Sequence, residues 1–173
     1  MNTKFLKNDF IFLQDAIKLI KSSFFPRKFR DDKGFYREFF LVGVGGNLNN
    51  VKKNFEKLVF ELNKDRRFGL IASSPILLNK PFGYTNQPNF YNAVLLLVTS
   101  KSPKETLKIM QHYEKKFKRK REFPNAPRTL DLDILYFDNL NLDDERLVLP
   151  HPGVEKRVST IVPIGLMKER GWI

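Results

Sequence analysis

The chain has 173 residues, a formal net charge of +12 at pH 7 and a composition that is 42% hydrophobic and 29% charged. These values predict one folded domain and exclude an intrinsically disordered chain. It contains no cysteine and two histidines, which excludes disulfides, thiolate chemistry and a histidine-rich metal site. Its apolar runs are too short to span a bilayer and its first residues lack a signal peptide, so we expect a soluble, cytoplasmic protein whose positive charge attracts an anionic partner.

The first 38 residues differ from the rest of the chain. Apolar side chains recur there at alternating spacings of four and three, namely Leu6, Phe10, Leu13, Ile17 and Ile20. This is the period of one face of an amphipathic helix. We predict a helix that ends near Ser22 and a charged linker over residues 26–34. Residues 1–38 then form an N-terminal helical extension of a main domain at residues 39–173, and we expect the apolar helix face to pack on that domain, with self-association or membrane docking as alternatives.

The main domain begins with a strand and a helix. Residues 39–44 are a short apolar run that ends in glycines, which is typical of a buried strand and a tight turn. Residues 51–62 place apolar side chains on one helical face. Two further strand-like runs, residues 69–77 and 90–99, are separated by a loop over residues 79–89. That loop is long for a plain hairpin, which indicates a functional role.

A second helix and a last strand complete the pattern. Residues 102–105 combine a serine cap, a proline at the first helical position and a glutamate three residues after the cap. From residue 130 to residue 134, apolar side chains alternate with Asp131 and Asp133, as in a strand with one buried face. The order β-α-β-β-α-β predicts an α+β fold, a ferredoxin-like sandwich of an antiparallel sheet with its helices on one face, preceded by the extra N-terminal helix. Many unrelated functions use this fold, so it does not identify the activity.

The acidic strand carries the strongest chemical signal. Asp131 and Asp133 are two residues apart, so their carboxylates point to the same face. Arg128 lies just before them, and Arg119 and Arg121 end the preceding helix. Mg²⁺ is commonly held by one or two carboxylates together with nucleotide phosphates and water, and phosphoryl transfer needs positioned cations rather than a protein nucleophile. The pattern therefore favours an Mg²⁺-nucleotide site over a solvated strand face.

Two weaker signals lie outside this strand. The glycine-rich residues 43–48 match neither the phosphate-loop nor the dinucleotide-binding pattern, and a tight strand-to-helix turn explains them. His151 follows the acidic strand and could reach a phosphate, although a lone histidine is more often structural. Neither signal identifies a function by itself.

Residues 127–135, Pro-Arg-Thr-Leu-Asp-Leu-Asp-Ile-Leu, resemble the signature of the 6-hydroxymethyl-7,8-dihydropterin pyrophosphokinase family of folate biosynthesis. Residues 45–48 resemble the G-S-N-L segment of that family, and residues 87–92 resemble its Q-P-x-[YF]-x-N segment. The residues around Pro150-His151 also fit, and the similarity runs in the order of the family from about residue 39 to residue 165.

The resemblance implies transfer of the pyrophosphoryl group of ATP to the hydroxymethyl oxygen of the pterin, which gives the pterin diphosphate and AMP. By the resemblance, Asp131 and Asp133 bind two Mg²⁺ ions, Asn92 bonds the pterin and Phe90 stacks on it. The implied catalytic residues are Arg119, Arg121, Arg128, Asp131 and Asp133. The implied ATP contacts are Glu114, Arg128, Ile134, Arg146, His151 and Arg157. The implied pterin contacts are Gly45, Asn47, Pro81, Phe82, Phe90, Asn92 and Phe123.

The chain departs from the family pattern at a few positions. Gly46 stands where the family usually has serine, and Ser159 stands where it commonly has an aromatic wall for the pterin. The segment from Arg121 to Arg128 is one residue shorter and offers Phe123 in place of a tryptophan. These departures leave open a degenerate relative that binds nucleotide without catalysis.

An RNA-binding module of the RRM type is a second alternative, because it shares the β-α-β-β-α-β order and the basic run over residues 115–121 would suit RNA. Residues 90–99 lack the aromatic pattern that such modules place on a central strand. We therefore expect ATP and the pterin as partners, no nucleic acid or membrane, and a monomer or weak homodimer.

Overall fold

The computed structural model describes residues 15–29, 38–120 and 123–173. The strands are β1 (Ala16–Ile20), β2 (Arg27–Lys28), β3 (Glu38–Gly46), β4 (Phe68–Ser73), β5 (Ile76–Asn79), β6 (Phe90–Thr99), β7 (Asp131–Phe137), β8 (Leu142–Asp144) and β9 (Leu147–Leu149). The helices are α1 (Val51–Lys64), α2 (Pro103–Lys116) and α3 (Val158–Glu169). None of the helices in the described residues is long and apolar enough to cross a membrane.

The strands of the main sheet are antiparallel and centre on β3. β3 pairs with β6 on one side and with β7 on the other, while β4 and β5 both pair with β6. β8 and β9 form a separate hairpin. The prediction of an α+β fold with an antiparallel sheet is confirmed.

One face of the sheet carries α1 and α2, as the sequence predicted. Val42 on β3 and Leu95 on β6 point into a core that includes Phe55 and Leu58 of α1 and Met110 of α2. Burial of these apolar side chains is the main favourable term in folding. Both helices begin where their sequences provide caps: the Asn50 side chain accepts the Lys53 amide at 3.1 Å, and Ser102 and Glu105 form a capping box. These two helices pack on one face and leave the opposite face of the sheet for another layer.

The opposite face carries α3, which the sequence analysis did not predict. Met167 of α3 is fully buried against a second core cluster that includes Val94, Leu96 and Leu135. The expectation that the helices occupy only one face is therefore wrong. Residues 158–167 are apolar on nearly every side and include Pro163, so they give no helical period in the sequence. α3 covers part of this face and leaves the end near Asp131 open.

The predicted N-terminal helix is wrong from residue 16 onward, because Ala16–Ile20 is a strand that pairs with β5. The unpaired edge of β5 offers backbone partners, and this tertiary pairing overrides the local helical spacing. Phe25 then enters the main core, and β2 pairs with β4. The remaining apolar positions of the predicted helix, Leu6, Phe10 and Leu13, lie outside the described residues. β1 and β2 are therefore strands of the main sheet, and the prediction of a linker is wrong at Arg27–Lys28.

Substitution of Phe25 tests whether this segment is integral to the fold. The Phe25 ring is 0% exposed and its centroid lies 5.9 Å from that of Phe55. We expect Phe25→Ala to lower the free energy of unfolding by about 3–5 kcal/mol, measured by urea denaturation. Phe60→Ala is the matched control, because the Phe60 ring is 52% exposed. If Phe25→Ala lowered the free energy of unfolding no more than Phe60→Ala does, residues 15–29 would be a detachable extension and not part of the core.

Candidate active site

The sheet face that carries α3 is uncovered at the end near Asp131. This uncovered part of the sheet is the floor of a cleft, and two carboxylates lie on it. Asp131 and Asp133 begin β7 and face Gly45 and Gly43 across the β3–β7 pairing. A Cβ atom at Gly45 would lie 3.0 Å from Asn92 Oδ1, so a side chain there would crowd the floor. Glycine at this position keeps the space above the carboxylates free.

Asp131 has its charge compensated by two arginines. Arg119 Nη1 forms an ion pair with Asp131 Oδ1, and Arg128 Nε lies 3.1 Å from Asp131 Oδ2. Glu114 supports Arg119 from behind: its carboxylate pairs with the guanidinium and accepts the Leu132 amide at 2.9 Å. The Arg128 guanidinium also lies over the Phe90 ring, with Cζ 5.2 Å from the centroid. Both arginines are therefore fixed at the acidic end of β7.

Asp133 lacks such compensation. Within residues 15–29, 38–120 and 123–173, no lysine or arginine forms an ion pair with it. Burial raises the pKa of Asp133, and the neighbouring Asp131 carboxylate raises the pKa further, while His151, Arg119 and Arg128 act in the opposite direction. A buried carboxylate beside a like charge is costly for the free protein and suits a bound cation.

The donor set fits Mg²⁺. In the described part of the chain, no group of three or more histidine, aspartate and glutamate side chains is close enough to hold a metal ion by itself. Mg²⁺ typically takes one or two protein carboxylates and completes its shell with phosphate oxygens and water. Asp131 and Asp133 are the residues that would hold it.

His151 and Arg157 form the wall facing the carboxylates. The His151 amide donates to Leu135 O at 2.8 Å, and His151 Nδ1 accepts the Gly153 amide at 3.0 Å. The neutral ring therefore carries its hydrogen on Nε2, the nitrogen left for a ligand. Arg157 lies at the start of α3, and its guanidinium lies over the Phe82 ring with Cζ 5.3 Å from the centroid. Both side chains line the cleft beside Asp133.

The other half of the cleft is narrower and lined by aromatic and amide groups. Phe90 is largely buried beneath Arg128, and Asn92 Nδ2 donates to Asn79 Oδ1 at 2.7 Å. The wider, arginine-lined half has a volume of about 480 Å³, within the usual range for small-molecule sites. The cleft thus joins a cationic compartment to a smaller compartment with a ring wall and amides.

The structure brings most of the predicted site residues together. Those that line the cleft are Gly45, Phe82, Phe90, Asn92, Arg119, Phe123, Arg128, Asp131, Asp133, His151 and Arg157. Arg121 lies outside the described residues. The lining residues to which sequence reasoning assigned no contact include Asn79, Asn125 and Thr160. Of these three, only Asn79 had a local signal, its place at the end of a strand before the long loop.

The other predicted residues lie elsewhere. Ile134 points into the core beneath α1 and α2, on the face opposite the carboxylates, so its backbone alone is left to contact a nucleotide. Arg146 is exposed in the turn between β8 and β9. Glu114 is buried behind Arg119, Pro81 is half-buried at the rim, and the Asn47 side chain is bonded to protein groups. The period of two along β7 already places Ile134 on the far face.

Comparison with known proteins identifies relatives along most of the chain. Residues 41–168 match the family described as 7,8-dihydro-6-hydroxymethylpterin-pyrophosphokinase (HPPK). A Campylobacter jejuni protein named 2-amino-4-hydroxy-6-hydroxymethyldihydropteridine pyrophosphokinase is 43% identical over 147 residues, which is 85% of this chain and 93% of the relative. A Helicobacter pylori protein of the same name is 40% identical over 153 residues, 87% of this chain and 93% of the relative. The identity to a Bacillus subtilis protein of that name is 32% over 123 residues, 71% of this chain and 74% of the relative.

The unequal compensation of the two aspartates gives a stability prediction. Because the raised pKa of Asp133 makes its carboxylate unfavourable in the folded state above that pKa, we expect Asp133→Asn to raise the melting temperature of the metal-free protein at pH 7. The gain should disappear at low pH, where Asp133 is protonated in both the folded and unfolded states. Asp131→Asn, by contrast, should lower the free energy of unfolding by about 1–3 kcal/mol, because it removes the charge partner of Arg128 and one of the two carboxylates that pair with Arg119.

Calorimetry of the two variants between about pH 2.5 and about pH 7, a range that extends below the ordinary aspartate pKa of about 3.9, measures both effects. The matched pair differs only in which carboxylate is removed. A lower melting temperature for Asp133→Asn at neutral pH would contradict the assignment of Asp133 as the uncompensated charge.

Proposed function

The chain belongs to the 7,8-dihydro-6-hydroxymethylpterin-pyrophosphokinase family, and we propose that the cleft above β7 is its active site. The protein transfers the pyrophosphoryl group of ATP to 6-hydroxymethyl-7,8-dihydropterin in folate synthesis. The observation that carries the assignment of the site is the Asp133 carboxylate, which has no ion-pair partner in the part of the chain that the structure describes and lies beside a paired Asp131 in a cleft lined by arginines and a histidine.

The wider half of the cleft would hold the triphosphate. Arg119 and Arg128 already lie at the acidic end of β7, and His151 presents Nε2 toward the same space. Guanidinium groups bind phosphate oxygens through parallel hydrogen bonds, which fixes orientation as well as charge. Arg157, now over the Phe82 ring, is the further cation available to the phosphates.

Asp131 and Asp133 would hold the Mg²⁺ that accompanies ATP in this family, and two ions are the number that we propose. Bound there, the metal would neutralise phosphate charge and align the reacting groups. The support from this chain is the donor set: two hard carboxylate ligands, with Asp133 unpaired among the described residues. Further ligands would come from phosphate oxygens and water.

The narrower half of the cleft would hold the pterin. Phe90 offers a flat apolar surface to a flat heterocycle, and Asn92 offers amide groups to its polar edge. Ser159 and Thr160 at the start of α3 line the facing side, where an aromatic wall would otherwise lie. Phe82 also lines this half of the cleft, and its ring, which is 69% exposed, is available to cover the pterin.

The reaction then needs positioning rather than covalent catalysis. The hydroxymethyl oxygen attacks the β-phosphorus of ATP, and the bond from that phosphorus to the α–β bridging oxygen breaks. AMP leaves with the bridging oxygen, and the hydroxyl proton is released. Arg119, Arg128 and His151 would stabilise charge that moves between phosphate oxygens, and this kind of preorganised electrostatic effect is often the largest catalytic term.

The remaining expectations concern the fold and the setting of the enzyme. We propose that β3, β4 with β5, β6 and β7, with α1 and α2, form a ferredoxin-like sandwich to which β1, β2 and α3 are added. The cytoplasmic location, the monomeric or weakly dimeric state and the lack of a nucleic-acid partner stay predictions. The degenerate-relative and RNA-binding alternatives are not favoured, because the matched relatives are named as pyrophosphokinases.

Pterin-dependent release of AMP tests the proposed site. We expect wild-type protein to release AMP from Mg²⁺-ATP only when 6-hydroxymethyl-7,8-dihydropterin is present. Asp133→Ala should lower the rate by at least about 10²-fold, because it removes a metal ligand next to the transferred group. Asp143→Ala is the control, since Asp143 is exposed on β8 outside the cleft. Retention of the wild-type rate by Asp133→Ala would refute the assignment of this cleft.

A further inference from the structure

Asn47 makes a full set of hydrogen bonds to protein groups at the rim of the cleft. The side chain is 6% exposed, and its Oδ1 atom accepts the Arg128 amide at 2.8 Å. Its Nδ2 atom donates to Gln87 Oε1 at 2.9 Å and to Pro88 O at 3.0 Å. The Asn47 amide also donates to Arg128 O at 2.9 Å. Because both amide hydrogens and the carbonyl oxygen are used, the side chain has little capacity left for a substrate.

Gln87 extends this set of bonds to a third segment. Its Nε2 atom donates to Tyr84 O at 2.5 Å and to Asn125 O at 3.1 Å. Asn125 has φ 60°, a left-handed conformation that asparagine tolerates and that turns its carbonyl toward Gln87. The Tyr84 and Phe123 rings meet edge to face nearby, with centroids 5.2 Å apart. The 84–88 loop and the 123–128 segment are therefore joined through one glutamine side chain.

The residues that this network holds belong to the two halves of the cleft. Arg128, whose backbone is bonded to Asn47, pairs with Asp131 and lies over the Phe90 ring. Phe90 follows Pro88 by two residues, and Pro88 is held by the same Asn47 amide. A shift of either loop would therefore change the distance between the phosphate-side arginine and the ring wall.

We propose that Asn47 and Gln87 form a positioning clamp that holds the two loops of the cleft in register and that neither side chain binds substrate. This positioning role differs from the pterin contact that the family resemblance implied for Asn47. Its kinetic consequence rests on the proposed function, whereas its structural consequence does not. The reacting groups must be held within a fraction of an ångström of the geometry that the reaction requires. Loss of a hydrogen bond of the clamp should therefore lower the rate of the chemical step more than the affinity for substrate.

Gln87→Glu tests the clamp with almost no change in shape. The variant keeps the oxygen that accepts from Asn47, but it places a second carboxylate oxygen against the carbonyls of Tyr84 and Asn125. We expect kcat to fall by roughly tenfold, while the Kd of Mg²⁺-ATP changes by less than about twofold. Because Gln87 is half-buried at a loop tip, the melting temperature should stay close to that of the wild type. Asn47→Asp, which keeps the bond from the Arg128 amide and loses both donors, should show the same split between kcat and Kd.

Asn86→Asp is the matched control. Asn86 is exposed in the same loop, next to Gln87, and its side chain makes no hydrogen bond within the described residues. The variant adds the same charge to the loop and leaves the clamp intact, so it should keep the wild-type kcat. Equal effects of Asn86→Asp and Gln87→Glu would show that charge alone acts, which would overturn the proposal.

Hydrogen exchange in the ligand-free protein tests the clamp without relying on activity. We expect the hydrogen-bonded amides of Ala126 and Arg128 to exchange faster in Gln87→Glu than in the wild type and Asn86→Asp, because the loop loses its tether. Unchanged exchange in Gln87→Glu would overturn the clamp even if its kcat fell. If the wild type released no AMP, the proposed function would fail, and the exchange data would still decide whether the clamp exists.

Discussion

Two carboxylates lie on one face of one strand, and among residues 15–29, 38–120 and 123–173 arginines form ion pairs with the first of them but not with the second. Asp131 lies between Arg119 and Arg128, while Asp133 has a raised pKa because it is buried and lies beside Asp131. Leaving a carboxylate in this state costs stability in the free protein, and active sites commonly carry such costs. The rest of the cleft is arranged around this unequal pair: a glycine floor opposite, a histidine that presents its Nε2 hydrogen to the cleft, and Arg157 at the rim.

The sheet face that carries this pair is divided into two regions by packing. At one end, α3 buries Met167 against Leu96 and Leu135, and this apolar contact fixes the helix on the sheet. At the other end, the start of α3 places Ser159 beside the cleft and holds Arg157 over Phe82. The same helix therefore closes the second core and supplies one wall of the site. The opposite face carries α1 and α2, and no residue of these two helices lines the cleft.

The sequence predicted the features that depend on local periodicity. The alternation along residues 130–134 identified the acidic pair and its shared face, and the serine cap at residue 102 marked the start of α2. The N-terminal helix was wrong because a strand partner outside the local window decided the conformation of Ala16–Ile20. α3 was missed because a helix that is apolar on nearly every side shows no helical periodicity of apolar and polar residues in the sequence. The clamp could not be predicted, because Asn47 and Gln87 are 40 residues apart and their bonds depend on how two loops meet.

The central claim is that Asp133 is held as an uncompensated carboxylate that a metal-nucleotide complex would relieve. Carbon-13 NMR titration of the aspartate carboxyl groups tests it most directly, in the free protein and again with Mg²⁺ and a non-hydrolysable ATP analogue. The account predicts a pKa for Asp133 above the ordinary aspartate value in the free protein and a marked fall in that pKa when the complex binds. An ordinary or lowered pKa in the free protein, or no change on addition of the complex, would contradict the account.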